Sequence, residues 1–429
     1  MICLRNVLCV AGSCFVFPLL AADGDGGSES AHGSIAANRG AIVVTDEAVR
    51  IHRLAPVFDG HNDLPWALRK SGDSVSQVDL RKSQPDLHTD IPRLRAGGVG
   101  AQFWSVYVPV STAMQDNALT STLEQISVVR QMTEQYSDVF ELALTVEDVK
   151  RITGEGKIAS LIGVEGGHCI ENSINVLRQL FREGARYMTL THSMSLDWAD
   201  SCSDDPISGG LSAFGEEVVR EMNRLGMIVD LSHVSPNCMK QALRITNAPV
   251  IFSHSSARSI ADHPRNVPDD VLIETKKNGG VVMINFFSDY LNPIDAARSL
   301  RRSARKSELN ALYPDNEEKA TTALRQWEAK HPRSAVCTVH DVLDHIDHVV
   351  NVAGIDHVGL GSDFDGVPAL PAQLGDVSRY PVITQGLLDR GYTESEILKV
   401  LGGNVMRVFE RVEAVSRKSS NRKVNAAAK

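Results

Sequence analysis

The sequence is poor in cysteine, in long apolar runs and in the glycine-rich motifs that bind nucleotides. Neither Gly-x-Gly-x-x-Gly nor Gly-Lys-Ser/Thr occurs in it, which argues against a nucleotide cofactor. Only seven cysteines are present in 429 residues. Those beyond residue 22 have no spacing typical of a metal site, and they are Cys169, Cys202, Cys238 and Cys337. Export would permit disulfides among them, but their wide spacing specifies no pairing.

Positive charge is also scarce relative to negative charge. The formal net charge is -9 at pH 7, and the sequence pI is about 5.9. A nucleic-acid-binding protein needs a basic face to neutralise phosphates, so nucleic acid is not expected as a partner. Short basic runs at Arg301-Arg302, at Arg305-Lys306 and near the end of the chain do not reverse this balance.

The first 22 residues are predicted to be an export signal. Arg5 supplies a positive charge, residues 7–20 are almost wholly apolar, and Ala21-Ala22 offers a cleavage point of small residues. The apolar run is too short for a typical membrane span. A lipoprotein signal with Cys14 as the modified residue is the alternative, and it is disfavoured because the apolar run continues past Cys14. We therefore expect a secreted or exported protein.

The remainder of the chain alternates apolar runs with stretches of helical period. Eight apolar or β-branched runs are predicted strands, at residues 57–60, 100–107, 159–164, 187–190, 227–231, 250–253, 280–286 and 357–361. Connecting segments such as 173–183 and 215–225 have the apolar spacing of amphipathic helices. Strands that alternate with helices pair in parallel, and eight such units predict an α/β fold, a (β/α)8 TIM-like barrel. A further run at 140–145 is a candidate for one additional βα unit.

We expect this barrel to occupy residues 46–413, between two polar segments. Residues 23–45, rich in glycine, serine and alanine, are predicted to be a flexible lead-in, and residues 414–429 a short, basic and polar tail. Residues 291–335 are charged and helical in pattern without a strand, which predicts an insertion that caps the barrel or contacts a second subunit of a homodimer. No hydrophobic run follows Arg411, so no C-terminal lipid anchor is expected.

Histidines and acids follow six of the eight predicted strands. In a barrel of this kind the active site lies at the C-terminal ends of the strands. Because strand side chains alternate, His61 and Asp63 leave the backbone on the same face. Taken singly, such residues are more often caps or hydrogen-bonded groups, and Asp63 is well placed to cap a helix. Together they predict a metal site, and they are His61, Asp63, Glu165, His192, His233, His254 and Asp363.

These seven groups exceed the four ligands that one zinc ion normally takes, so two metal ions that share a carboxylate fit better. Such a pair would lower the pKa of a bridging water and polarise a carbonyl or phosphoryl oxygen. An acid not needed as a ligand is the natural general base, and Asp363, alone on the last strand, suits that role. Arg265 follows the His254 strand and is a candidate clamp for a carboxylate or phosphate, against the alternative of a surface arginine. Asp59, His168 and His263 are assigned structural or supporting roles.

Six motifs resemble the membrane (renal-type) dipeptidases, in the same order along the chain. They extend from about residue 56 to residue 411, which is nearly the whole mature chain. They are Asp-Gly-His-Asn-Asp-Leu-Pro from Asp59, Gly-Gly-Val-Gly-Ala-Gln-Phe-Trp-Ser from Gly97, Glu-Gly-Gly-His from Glu165, Leu-Thr-His-Ser from Leu190, Asp-Leu-Ser-His from Asp230, and Ser-Asp-Phe-Asp-Gly from Ser362.

The resemblance implies a dinuclear zinc dipeptidase on a (β/α)8 barrel. One zinc ion would be held by His61, Asp63 and Glu165, and the other by Glu165, His233 and His254, with Glu165 as the bridging ligand. The resemblance further assigns His192 to the scissile carbonyl oxygen, Arg265 to the C-terminal carboxylate of the dipeptide with Tyr290 as a helper, and Asp363 to acid/base catalysis. Met194 stands where anchored members have a disulfide-forming cysteine, so that bridge is not expected.

Two other functions remain as alternatives. One is a metal-dependent amidohydrolase that acts on a lactam, a lactone or a phosphoester. The other is a catalytically inactive binding scaffold, which is disfavoured because every predicted ligand position carries a competent residue. Arg265 separates the first alternative from a dipeptidase, since a neutral ester does not need a cation for its carboxylate. Measuring the metal content of the protein would distinguish the inactive scaffold from a metal-dependent enzyme.

Overall fold

A computed structural model describes residues 39–70, 75–334 and 336–427. The predicted export signal and most of the predicted lead-in lie outside these ranges. Within these ranges, the residues from Ala41 onward form one compact unit. Among the helices of the described ranges, none combines the length and the apolarity that a membrane span requires.

The central element is a single sheet of parallel strands. The strands are β1 Val57–Asn62, β2 Val99–Tyr107, β3 Phe140–Leu142, β4 Ile158–Glu165, β5 Ala185–Thr189, β6 Ile228–Asp230, β7 Ile251–Phe252, β8 Val281–Ile284 and β9 Val358–Leu360. Their order is β2-β1-β9-β8-β7-β6-β5-β4-β3, and β2 also pairs with β4. That last pairing closes eight of the strands into a barrel, so the predicted (β/α)8 architecture is confirmed.

Strand β3 lies outside the barrel. It pairs with the first half of β4, from Ile158 to Ser160, whereas β5 pairs with the second half, from Ile162 to Glu165. The apolar run at 140–145 therefore contains the additional parallel strand that its sequence suggested, but this strand is not part of the closed barrel.

Helices connect the strands around the outside of the barrel. They are α1 Asp46–His52, α2 Leu64–Lys70, α3 Ile91–Ala96, α4 Ser111–Met114, α5 Ala118–Gln135, α6 Val146–Gly154, α7 Ile174–Arg182, α8 Ala213–Leu225, α9 Pro236–Ile245, α10 Asp269–Asn278, α11 Ser288–Leu291, α12 Pro293–Leu312, α13 Glu317–Lys330, α14 Val339–Ala353, α15 Tyr380–Asp389, α16 Glu394–Leu398 and α17 Asn404–Ala427. A π-helical turn, Lys399–Gly403, joins the last two. Helices α12 and α13 form the helical insertion predicted late in the chain, and Leu309, Ala320 and Leu324 make a small apolar cluster of their own there.

The barrel interior is packed with large side chains below the rim. Phe58 of β1 stacks on Phe103 of β2 at 5.4 Å between ring centroids, and Phe103 contacts Tyr187 of β5 at 4.8 Å. Strands of a parallel barrel are covered on both faces, which explains why β2 and β4 are buried at almost every position and are mostly apolar in sequence. This packed layer supports the strand ends above it. Cys169, Cys202, Cys238 and Cys337 are all free thiols.

Candidate metal centre

Five side chains from four strand ends meet at the C-terminal rim of the barrel. His61 belongs to β1 and Asp63 follows that strand, while Glu165 is the last residue of β4. His233 lies in the turn after β6, and His254 lies two residues after β7. None is more than 8% exposed. The structure thus brings together the five residues that the sequence predicted as metal ligands.

Glu165 lies at the middle of this group, and its two oxygens face different histidines. Glu165 Oε1 is 3.1 Å from His233 Nε2 and 3.3 Å from His254 Nε2. Glu165 Oε2 is 3.6 Å from His61 Nε2 and accepts a hydrogen bond from Ser105 Oγ at 3.2 Å. A carboxylate placed in this way can bind one cation with each oxygen.

The arrangement of nitrogens and oxygens fits divalent cations. His61 Nε2 is buried without a hydrogen-bond partner, and His233 Nε2 and His254 Nε2 are only 2.9 Å apart. Three groups of residues could each hold a metal ion, because within each group the potential ligand atoms all lie within 4.8 Å of one another. The groups are His61, Glu165 and His254; Glu165, His192 and His233; and His61, Asp63 and Asp363. Imidazole nitrogen and carboxylate oxygen are donors that Zn²⁺ accepts.

Hydrogen bonds on the far side of the imidazoles orient two of the histidines. Ser253 Oγ donates to Asp230 Oδ2 at 2.6 Å and lies 2.8 Å from His254 Nδ1. Because the serine proton is directed to Asp230, Ser253 Oγ accepts the proton of His254 Nδ1, which leaves the lone pair on His254 Nε2. His61 Nδ1 is likewise 2.8 Å from the hydroxyl of Tyr187. Such partners fix the ring and the tautomer of a metal-binding histidine.

The buried acids make the rim favourable for positive charge. Burial lowers the pKa of His61, but the carboxylates of Glu165 and Asp63 outweigh burial and raise that pKa to about 10. Burial raises the pKa of Glu165, yet the surrounding histidines hold it well below its ordinary value. Glu165 is therefore stabilised as an anion by the histidines around it, and a bound cation would stabilise it in the same way.

Asp363 lies on the loop directly after β9, beside His61. Its backbone N–H donates to His61 O at 3.0 Å, and its Oδ2 accepts from Asn285 Nδ2 at 2.8 Å. Its φ of 65° is in the left-handed region, which is uncommon for a residue other than glycine. Burial raises the pKa of Asp363 to about 8, and the nearby Asp63 adds to the rise against the opposing effect of His61.

Gly366 leaves space for two of these acids. A Cβ atom at this position would lie 2.2 Å from Asp63 Oδ2 and 2.5 Å from Asp363 Oδ1. Any larger residue would therefore displace both carboxylates. The Ser-Asp-Phe-Asp-Gly motif thus combines an acid with the glycine that makes room for it.

Arg265 is a buried cation beside the metal centre. Its side chain is held by Ser255 Oγ at 3.3 Å and by the carbonyl oxygen of His254 at 3.1 Å, and its guanidinium lies over the ring of Tyr290 at 5.3 Å. The residue is only 2% exposed, and its Nε is buried without a hydrogen-bond partner among the described residues. A buried guanidinium of this kind is suited to an anionic group of a ligand. His263 packs against Tyr290 at 4.7 Å.

A cavity of about 710 Å³ opens over these groups. His192 lines it, with Nε2 3.8 Å from Glu165 Oε1 and its ring 4.9 Å from that of Tyr107. Tyr107, Trp66 and Asn285 were not predicted as site residues. Tyr107 ends β2 and Asn285 follows β8, so a search of strand ends extended beyond histidines and acids would have found both.

Two alternative roles are resolved by the local hydrogen bonds. The side chain of Asn62, not that of Asp63, accepts the N–H of Leu64 at the start of α2, so the Asp63 carboxylate faces the metal centre. Asp59 is fully buried and accepts from Ser362 Oγ at 2.6 Å and from the hydroxyl of Tyr380 at 2.7 Å. Asp59 therefore ties β1 to its surroundings below the rim.

Comparison with known proteins adds three findings. A family model described as membrane dipeptidase (peptidase family M19) matches residues 45–423. The probable dipeptidase PvdM from Pseudomonas aeruginosa is 25% identical over 86% of this chain and 98% of its own, with a TM-score of 0.76. A metallo peptidase from Rhodobacter sphaeroides, liganded with a phosphinate mimic of the dipeptide L-Ala-D-Ala, is 24% identical over 83% of this chain and 99% of its own, with a TM-score of 0.70.

Proposed function

The chain belongs to the membrane dipeptidase family and is a metal-dependent dipeptidase. On this basis we propose that it uses two zinc ions and binds both residues of a dipeptide in the cavity above the barrel. The observation that carries the proposal is the central position of Glu165, with a different set of histidines at each of its oxygens. The phosphinate dipeptide mimic bound by the Rhodobacter sphaeroides enzyme supports a substrate of this size.

The proposed zinc ligands are the five buried side chains of the rim. His61, Asp63 and Glu165 would hold one ion, and Glu165, His233 and His254 the other. When bound, the ions would supply an acidified water and a polarised carbonyl group. Because the ligands come from β1, β4 and the turns after β6 and β7, the closed barrel itself sets their spacing.

Arg265 is proposed to bind the C-terminal carboxylate of the dipeptide. It presents N–H donors from a buried position next to His254, and its guanidinium lies over the ring of Tyr290. His192 lies on the opposite side of Glu165 from His61, where its ring nitrogen can donate to the scissile carbonyl oxygen as negative charge develops there.

Asp363 is proposed to move the protons. Asn285 donates a hydrogen bond to Oδ2 of this carboxylate, Oδ1 lies beside Gly366, and Asp363 lines the cavity. Oδ1 can therefore take a proton from the attacking water and deliver it to the nitrogen of the leaving amino acid. Its elevated pKa, caused first by burial, favours a carboxyl group that exchanges a proton near neutral pH.

We expect the purified protein to hydrolyse a panel of dipeptides and to lose that activity when a chelator removes its metal. Readdition of Zn²⁺ should restore activity in proportion to bound metal, up to two ions per chain, measured by atomic absorption together with release of free amino acids. N-acetylated dipeptide amides serve as control substrates. Full activity in a protein freed of metal would refute the proposed chemistry, and less than about one zinc ion per chain without hydrolysis would favour an inactive scaffold.

Replacing Arg265 with Ala should lower kcat/KM for dipeptides about 100-fold, mostly through KM, because it removes the buried partner of the substrate carboxylate. Hydrolysis of a neutral ester, measured in parallel, should change far less. Arg244, exposed at the end of α9, offers a matched Arg244→Ala control. An equal loss on the ester and on dipeptides would instead favour a lactam, lactone or phosphoester hydrolase.

Export and subunit assembly stay predictions from the sequence. The apolar segment at residues 7–20 predicts secretion, and the helices α12 and α13 are the proposed contact for a homodimer. Detection of the processed protein outside the cytoplasm, and its molar mass in solution, would check the two proposals.

A further inference from the structure

The active-site cavity has a second cationic residue, Lys70, at the end of α2. Asp63, Trp66, Ala67 and Lys70 all line the cavity. Residues spaced by three or four positions share one face of a helix. The helix after β1 thus presents one continuous face to the cavity, from a proposed zinc ligand at its start to a lysine at its end.

This face stands across the rim from Arg265. In the barrel, β1, β9 and β8 separate β2 from β7, so β2 and β7 lie on opposite sides. Tyr107 ends β2, and its ring meets Trp66 edge-on at 5.0 Å. Arg265 is bonded to the backbone of His254, directly after β7. The proposed zinc ligands lie between the two walls.

We propose that Lys70 gives the enzyme a preference for dipeptides whose N-terminal residue is aspartate or glutamate. The inference rests on the proposed function, which places the substrate carboxylate on Arg265. With that end fixed and the scissile bond over Glu165, the N-terminal side chain extends toward Trp66, Tyr107 and Lys70. The aromatic rings can flank the methylene groups of such a side chain, and the ammonium of Lys70 can meet its carboxylate.

The position and charge of Lys70 suit this role. Lys70 lies seven positions after Asp63, which corresponds to about 10 Å along a helix axis. Its flexible four-carbon side chain can cover part of that distance back toward the substrate. Within the described ranges Lys70 makes no ion pair, whereas its neighbour Arg69 is engaged by Glu124 and by the carbonyl oxygen of Ser121. On this side of the cavity, the Lys70 ammonium is therefore available to bind an anionic group of a ligand.

The test compares kcat/KM for Glu-Ala and Gln-Ala, which differ only in charge, in the full-length enzyme. We expect the native protein to prefer Glu-Ala about three- to fivefold, the range of a solvent-accessible ion pair, with the difference in KM. Lys70→Gln should bring the ratio to about one, and Lys70→Glu should reverse it. The native preference should shrink in 0.5 M salt because exposed charges are screened. Lys306→Gln, on the exposed surface of α12, should keep the native ratio.

The outcomes separate this inference from the proposed function. If native enzyme hydrolyses Ala-Ala but shows the same Glu-Ala to Gln-Ala ratio as Lys70→Gln, the role of Lys70 is refuted and the dipeptidase stands. If Lys70→Gln alters the preference for Ala-Glu over Ala-Gln and leaves Glu-Ala over Gln-Ala unchanged, Lys70 faces the C-terminal residue and the inference is wrong. If no dipeptide is hydrolysed at all, both the proposed function and the inference about Lys70 are refuted.

Discussion

Replacing Glu165 with Gln is expected to abolish dipeptide hydrolysis and to remove most of the bound metal. The amide keeps the size of the side chain, but it removes a negative charge and leaves one oxygen where two faced the histidines. Loss of a group that supports a metal ligand already weakens metal affinity about 10- to 100-fold, and loss of a ligand shared by two ions should exceed that. Metal content per chain and dipeptidase rate are the measurements.

Glu217, exposed on α8, provides the matched control, since Glu217→Gln makes the same chemical change away from the rim. Far-ultraviolet circular dichroism of both variants separates lost metal from a lost fold. Two ions per chain and near-native activity in Glu165→Gln would show that Glu165 does not bridge the metal centre.

Replacing Asp363 with Asn should lower kcat about 10²- to 10⁴-fold while the two proposed metal ions remain bound. The variant keeps a hydrogen-bonding group beside Asn285 and Gly366, but it can neither take a proton from water nor hand one to the leaving amine. KM should change little, because Arg265, and not Asp363, is the proposed partner of the substrate carboxylate. Steady-state kinetics and metal analysis of the same preparation are needed.

Metal analysis of this variant decides between two roles, because Asp363 also lies within ligand distance of His61 and Asp63. Loss of metal in Asp363→Asn would show that Asp363 is a metal ligand, and another group would then have to transfer the proton. Asp262→Asn, the same exchange on an exposed residue near Arg265, should keep native metal content and rate.

The sequence predicted the barrel and the composition of its rim because both depend on local patterns. A parallel strand that is buried on both faces must be an apolar run, and the residue after that run must lie on the rim. His233 and His254 were predicted on that basis from β6 and β7, although β7 has only two residues, Ile251–Phe252. The helical period likewise indicated α7 within one residue at each end.

The separate roles of these site residues could not be predicted from sequence patterns. Glu165 is distinguished by the direction of its two oxygens, which depends on the register of β4 between β2 and β5. Gly366 matters because Asp63 and Asp363, far apart in sequence, both approach its Cα. Capping of α2 was only the alternative considered for Asp63, and the side chain of Asn62 makes that hydrogen bond; two adjacent polar residues offer the same signal, so the sequence could not tell which one accepts it. Family resemblance, rather than periodicity, supplied the bridging assignment.

The seam between β1 and β9 has a consequence for biosynthesis. Asp59 on β1 accepts hydrogen bonds from Ser362, 303 positions later in the chain, and Asp363 N–H reaches the carbonyl oxygen of His61. The first proposed zinc ligands, His61 and Asp63, are therefore synthesised long before Asp363, the proposed proton-transfer group. Until β9 takes its place between β1 and β8, the barrel is open and the proposed centre lacks Asp363, so we expect a nascent chain without this strand to be inactive.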